Sequence, residues 1–160
     1  MTPEEIHHKL KSKFGDNVLD LLAAPAKGDI FIQVKPEKIR PILRHLKEES
    51  SFAFDNPLCI SGVDTADRIE IIYHLHSYAH LHKVIVKTAI PDRVKPSIDS
   101  VSELWKWANW LEREIFDMFG VHFNDHPDLR RILCPDDWEG YPLRKDYVHQ
   151  EFYHDMKVGM

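Results

Sequence analysis

Apolar residues recur at three- and four-residue steps in three stretches of this chain, and run or alternate as strands in four others. TPEEIHHKLKSKFG opens with a Thr2/Glu5 capping box and Pro3 at the first helical position. It then places Ile6, Leu10 and Phe14 on one face and stops at Gly15. DIFIQVK alternates as a strand. PEKIRPILRHLKEES is a helix with Ile39, Ile42, Leu43 and Leu46 inward, and its Pro41 fits only if the helix starts near Pro36. PLCISGVDT, RIEIIYHLHS and LHKVIVKTAI are rich in β-branched residues, and their short connections, ADR and YAH, predict an antiparallel meander. PDRVKPSIDS is a proline-punctuated loop. The order is helix, strand, helix, three strands, helix and tail: an α+β fold with an antiparallel or mixed sheet packed against helices.

SVSELWKWANWLEREIFDMFG is the most regular element, with a Ser100/Glu103 capping box and a Gly120 stop. Val101, Leu104, Ala108, Leu111, Ile115 and Met118 form its core stripe, broadened by Trp105, Phe116 and Phe119. Two residues are misplaced on this helical wheel. Glu112 falls inside the apolar arc, and Trp110 falls on the polar face beside Lys106 and Asp117. A buried carboxylate needs a cation or several donors, and an exposed indole wants a cover. The segment after Gly120 offers Arg130, Arg131 and Arg144 for Glu112, and its aromatic residues for Trp110. Part of it is therefore expected to pack back on the helix and the rest to reach a neighbour. The expected division is a globular body over 1–120 and an extended interaction tail over 121–160. Within that tail CPDDWEGYPLRKDY, residues 134–147, has no helical or strand period, yet is too sticky for a casual linker.

At 160 residues the chain is read as one domain, able to bury roughly 70% of its unfolded surface. A formal charge of -5 argues against a nucleic-acid binder, and the last forty residues hold five Lys or Arg against eight Asp or Glu. Cys59 and Cys134 share no CxxC spacing and fit a reducing compartment. Neither a signal sequence nor a membrane span is legible, so the expectation is a cytosolic protein.

Two histidine groups invite a metal. His74, His76, His80 and His82 lie on neighbouring strands, but alternation also places them on the solvent face. His122 and His126 stand near Asp125 and Asp128, with Glu112, Glu114 and Asp117 upstream. A metal-dependent hydrolase can be sketched from these residues, although His122–His126 is a loop, without helical geometry. GxSxG, GxxxxGK[ST] and GxGxxG are all missing, as are the clustered cysteines of iron–sulfur ligation. Spacing alone points to a binding or scaffolding role.

WLEREIFDMFGVHFNDHPDLRRILCPDDWEGYPLRKDY, residues 110–147, closely resembles the signature of the C subunit of respiratory complex I, a family that includes the J subunit of chloroplast and cyanobacterial relatives. The family pattern is E-R-E-x-x-D-x-F-G-I-x-F-x-G-H-P-D-L-R-R-I-L, then G-x-P-L-R-K-D. Here it matches at Glu112, Arg113, Glu114, Asp117, Phe119, Gly120 and Phe123, and then from His126, Pro127 and Asp128 through Leu129, Arg130, Arg131, Ile132 and Leu133. It resumes at Gly140, Pro142, Leu143, Arg144, Lys145 and Asp146. Val121 and Asp125 depart mildly from it. The resemblance implies a subunit with no prosthetic group of its own, with FMN, iron–sulfur clusters and quinone in partner subunits of an NADH:quinone oxidoreductase. It implies a hetero-oligomer with the large, hydrogenase-like D subunit and the iron–sulfur subunits of the peripheral arm. The arm lies on the cytoplasmic face of a bacterial inner membrane, or on the matrix or stromal side in organelles. Trp110, Glu112, Arg113, Glu114, Asp117, Phe119, Gly120, His126, Pro127, Arg130, Arg131, Trp138, Gly140, Pro142, Arg144, Lys145 and Asp146 are then the candidate partner-interface or family-motif residues, and Arg130, Arg131 and Arg144 are expected to grip carboxylates on Glu112 or on a neighbour. The same role in a membrane-bound hydrogenase is the near alternative, and a freestanding metal enzyme the distant one.

Overall fold

A computed structural model describes residues 1–23 and 29–158; the last two residues of the expected tail, 159 and 160, lie outside it. Helix α1 (Pro3–Phe14) starts at the expected box, with Thr2 Oγ1 accepting from the Glu5 amide at 3.3 Å and the Glu5 carboxylate accepting from the Thr2 amide at 2.9 Å. Strands β1 (Val18–Ala23) and β2 (Ile30–Val34) follow, then α2 (Ile39–Glu48). A short 3₁₀ turn at Pro36–Lys38 sets Pro41 in the first turn of α2, where its missing N–H costs nothing. Ile39, Ile42, Leu43 and Leu46 are fully buried, each contributing roughly 1.5–3 kcal/mol.

The meander is β3 (Asn56–Asp64), β4 (Ile69–Ser77) and β5 (His82–Ile90), all antiparallel. Strand β2 joins β5 in parallel and β1 lies outside it, giving a five-stranded mixed sheet in the order β1-β2-β5-β4-β3. β1 has no counterpart in the sequence reading. Its VLDLLA does not alternate, and its pairing is irregular between Val18 and Leu21, so period-2 patterning cannot reveal it. Register aligns Ile32, Val86, Tyr73 and Ile60 in one row across the sheet, buried beneath the helices. In the next row Gly62 lets helix α3 (Ala108–Phe119) approach. A side chain there would strike Phe119, whose Cδ2 is 2.8 Å from the position of a Cβ.

The long helix is shorter than its pattern. It begins at Ala108, not Ser100, and residues 101–107 form turns in which the Leu104 and Trp105 amides both donate to Val101 O. Val101, Leu104 and Trp105 are buried all the same, which makes the apolar pattern continuous across the boundary. Ser100 Oγ accepts the Ser102 amide at 3.1 Å while its hydroxyl donates to Glu112, and Glu103 turns outward to Arg44 of α2, so the reciprocal capping box does not form. Within the proline-punctuated loop, β6 (Ser97–Asp99) pairs in parallel with β7 (His122–Asn124). Val121 and Phe123 are fully buried in the common core, so the chain just past Gly120 helps to build the body.

Candidate functional site

The motif residues gather on α3 and on the irregular segment that returns across it, a strap over residues 130–147. Glu112 is fully buried, as its place in the apolar arc demands, but no arginine reaches it. Its carboxyl accepts from the Val101 amide at 2.7 Å and lies 2.6 Å from Ser100 Oγ. The expected clamp by Arg130, Arg131 or Arg144 is therefore corrected: each of these pairs with another acid, Asp128, Asp117 and Asp146 respectively. Burial pushes Glu112 up to about 7, against the pull of Ser100, Val101 and Arg40. Arg40 of α2 braces this corner by donating to Ser100 O, Asn124 O and Asp125.

The helical wheel puts Asp117 on the polar face, yet the residue is fully buried. The last turn of α3 is covered by the returning chain, which the wheel cannot foresee. Its carboxylate accepts from the amides of Ile132 (3.1 Å), Leu133 (2.7 Å) and Cys134 (2.8 Å), and from Arg131 at 2.6 Å. Burial alone would raise its pKa, but these four donors outweigh it and hold the carboxyl below its usual range. Arg131 also donates to Trp138 O and Gly140 O, and Arg113 to Arg130 O and Arg131 O. Residues 130–140 are thus wound around two guanidinium groups and one carboxylate.

Gly120, in the left-handed region at φ 77°, ends α3 and leaves room for the Tyr141 ring, which packs against Phe116. After Pro142, the Leu143 amide donates to Met118 O. The Lys145 amide donates to Asp64 at the end of β3 (2.8 Å), which also accepts from Arg93. Arg144 grips Asp146 through two parallel bonds and donates to Arg93 O, and it holds Asp146 down at about 2. Trp138 Nε1 donates to the Tyr147 hydroxyl. Asp64, Arg93 and Ser100 are members of this network that motif reading does not select. Asp64 and Arg93 lie far away in sequence, and nothing in their local pattern announces the contact.

Trp110 remains 60% exposed. Its cover is not a tail aromatic but Arg113, whose guanidinium lies 5.0 Å from the ring centroid. Glu114 is exposed, and Pro127 sits in an exposed turn. Both nitrogens of His126 are engaged, Nε2 with Asn109 O at 3.2 Å and Nδ1 with the Asp128 amide at 3.1 Å, while His122 points outward. In the meander, His82 is buried between Phe52 O and the Met1 amine rather than solvent-facing. Among the described residues no three His, Cys, Asp or Glu side chains converge as metal ligands, so neither histidine group assembles the sketched centre. Among the described residues no helix is long and apolar enough to cross a membrane.

The α+β layer that carries this strap is similar in architecture to a chain of the membrane-bound sulfane sulfur reductase, an archaeal respiratory membrane complex. The two superpose with a TM-score of 0.72 at 31% identity, covering 91% of this chain and 85% of that one. The model of the respiratory-chain NADH dehydrogenase 30 Kd subunit matches residues 32–153, and the chain belongs to that family. The C subunit of the NADH-quinone oxidoreductase of Chloroherpeton thalassium is 45% identical over 159 residues, 98% of this chain and 65% of that protein. Its counterpart from Geobacter sulfurreducens is 43% identical over 148 residues, 89% of this chain and 87% of its own length. The chain thus spans just under two thirds of the first relative and most of the second.

Proposed function

We propose that this chain is a non-catalytic subunit of a complex I-type NADH:quinone oxidoreductase, and that it docks on the large D-like subunit and supports the peripheral arm. The arrangement of the strap carries this reading. Asp117, Arg131, Arg113 and Asp64 fix residues 130–145 in an open path, while Trp110, Leu133, Leu143, Val148 and Phe152 remain exposed along α3 and the strap. A path ordered beforehand loses little entropy on docking, and exposed aromatic and aliphatic side chains supply the contact. FMN, the iron–sulfur clusters and quinone then belong to partner subunits. The assembly is a hetero-oligomer attached peripherally at the cytoplasmic face of its membrane.

The test is affinity capture of the tagged chain from mildly solubilised native membranes, comparing the intact form with one ending at Tyr147 and with Trp110→Ala. The cut belongs after Tyr147 because Val121 and Phe123 are core residues. The intact chain is expected to bring down the D-like and iron–sulfur partners, and both variants to fold normally while retaining less of them. An intact chain that stays alone while the membrane complex survives overturns the reading. A second reading, the same role in another membrane-bound respiratory complex, is favoured by the similarity to the sulfane sulfur reductase chain. The identity of the captured partners separates the two.

A further inference from the structure

Glu112 is a carboxyl group with no solvent exposure and no cation bonded to it. The nearest basic atom, His126 Nε2, lies 3.8 Å away and bonds Asn109 O, while Nδ1 accepts the Asp128 amide. That pattern defines a neutral imidazole. The other charged or titratable groups around the corner are also committed or distant. Arg40 of α2 is directed at Ser100 O, Asn124 O and Asp125, and Arg113 at the Arg130 and Arg131 carbonyls. Asp99 of β6 accepts from Asn124, and Tyr73 of β4 is fully buried with its hydroxyl unpaired. Ionising Glu112 therefore places in the interior a charge with no bonded cation, Arg40 acting on it only from beyond bonding distance. The way out is short: Ser100 Oγ is 2.6 Å from Glu112 and 2.8 Å from Ser102 Oγ, and Ser102 is half-buried.

We infer that Glu112 is a buried proton-binding site, reached from solvent through the Ser100 and Ser102 hydroxyls, and that its occupancy governs how firmly α3 is joined to the turn ahead of it. On uptake, Ser102 receives a proton from solvent and passes its own to Ser100, which passes its own to Glu112. The neutral acid then donates to Ser100 Oγ, Ser100 donates to Ser102, and the Val101 amide bond is kept. On release, the carboxylate holds only the Val101 amide and the Ser100 hydroxyl against full desolvation.

The folded pKa is raised by burial from 4.5 to about 7. The stabilising contribution is accordingly complete below about pH 4.5 and lost as pH rises through about 7. That interval corresponds to a roughly 300-fold fall in the folding constant. His126 acts in the opposite sense. Burial lowers its pKa, so its contribution is present above its unfolded value and lost on acidification.

The experiment is urea unfolding of the full chain and of Glu112→Gln across about pH 4 to about pH 8, together with infrared difference spectra of the chain labelled at glutamate. The wild-type folding constant, relative to the variant, is expected to fall by about two orders of magnitude across this range. A protonated-carboxyl stretch should vanish with a midpoint near 7 and be absent from Glu112→Gln, and Ser100→Ala should move the midpoint upward. Identical pH slopes in both proteins, or no glutamic acid band titrating above about pH 6, overturn the inference. The infrared measurement needs only the wild-type chain, so a variant that fails to fold leaves the test intact.

Discussion

Asp117→Ala isolates the contact that holds the strap. The substitution removes one acceptor from three amides and from a guanidinium only 13% exposed. Removing one partner of a buried ion pair costs about 3–5 kcal/mol. The lower figure applies, because Arg131 keeps the Trp138 and Gly140 carbonyls and the three amides can turn to water if the strap lifts. The cost therefore appears as local opening rather than global unfolding. About 3 kcal/mol corresponds to an open population raised roughly 150-fold. Limited proteolysis reads that population when opening and closing outpace cleavage. Cleavage within residues 131–147 should accelerate about a hundredfold, while cleavage of the meander and the unfolding midpoint of the body change little. Acceleration of less than about tenfold, or equal acceleration throughout the chain, would refute the assignment of Asp117 as the pin. Acid provides a second axis. The folded pKa of Asp117 is depressed, so its contribution is present above the unfolded value of 3.8 and lost as pH falls through the folded one. An acid-active protease should therefore find the wild-type strap protected until below about pH 3.8, and the Ala variant open at every pH.

Two further substitutions probe the remaining anchors. Gly120→Ala combines a left-handed backbone with a methyl group driven into the Tyr141 ring, and should lower stability by about 1–3 kcal/mol in urea unfolding, with Tyr141 displaced. Asp64→Ala removes the acceptor shared by Lys145 N, Ala66 N and Arg93, and should open the strap from its far end, seen as faster cleavage after Leu143 with protection at residue 133 retained.

Local sequence carries the elements whose burial is one-sided. Ile39, Ile42, Leu43 and Leu46 declare α2, and alternation declares β4 and β5, because one face of each meets the helix–sheet core. β1 escapes because its apolar residues do not alternate, and residues 101–107 read as helix because a buried turn is as apolar as a buried helix. The site is legible in membership and illegible in pairing. Glu112 and Asp117 both need donors, and the sequence offers three arginines after Gly120. Which acid meets which donor depends on the path of a segment with no period of its own. The path gives Asp117 the cation and the three amides, and leaves Glu112 facing a hydroxyl and a single amide. The two carboxyl groups, five residues apart on one helix, are consequently driven in opposite directions, one below its usual range and the other up to about 7. Ionised Asp117 binds the strap, while Glu112 is most at ease as a neutral acid. Across the acidic range the helix is therefore expected to lose its grip on the strap by protonating Asp117, and near neutrality to loosen from the preceding turn by ionising Glu112. The interval between those limits is where both joints hold, and where the docking proposed above should be firmest.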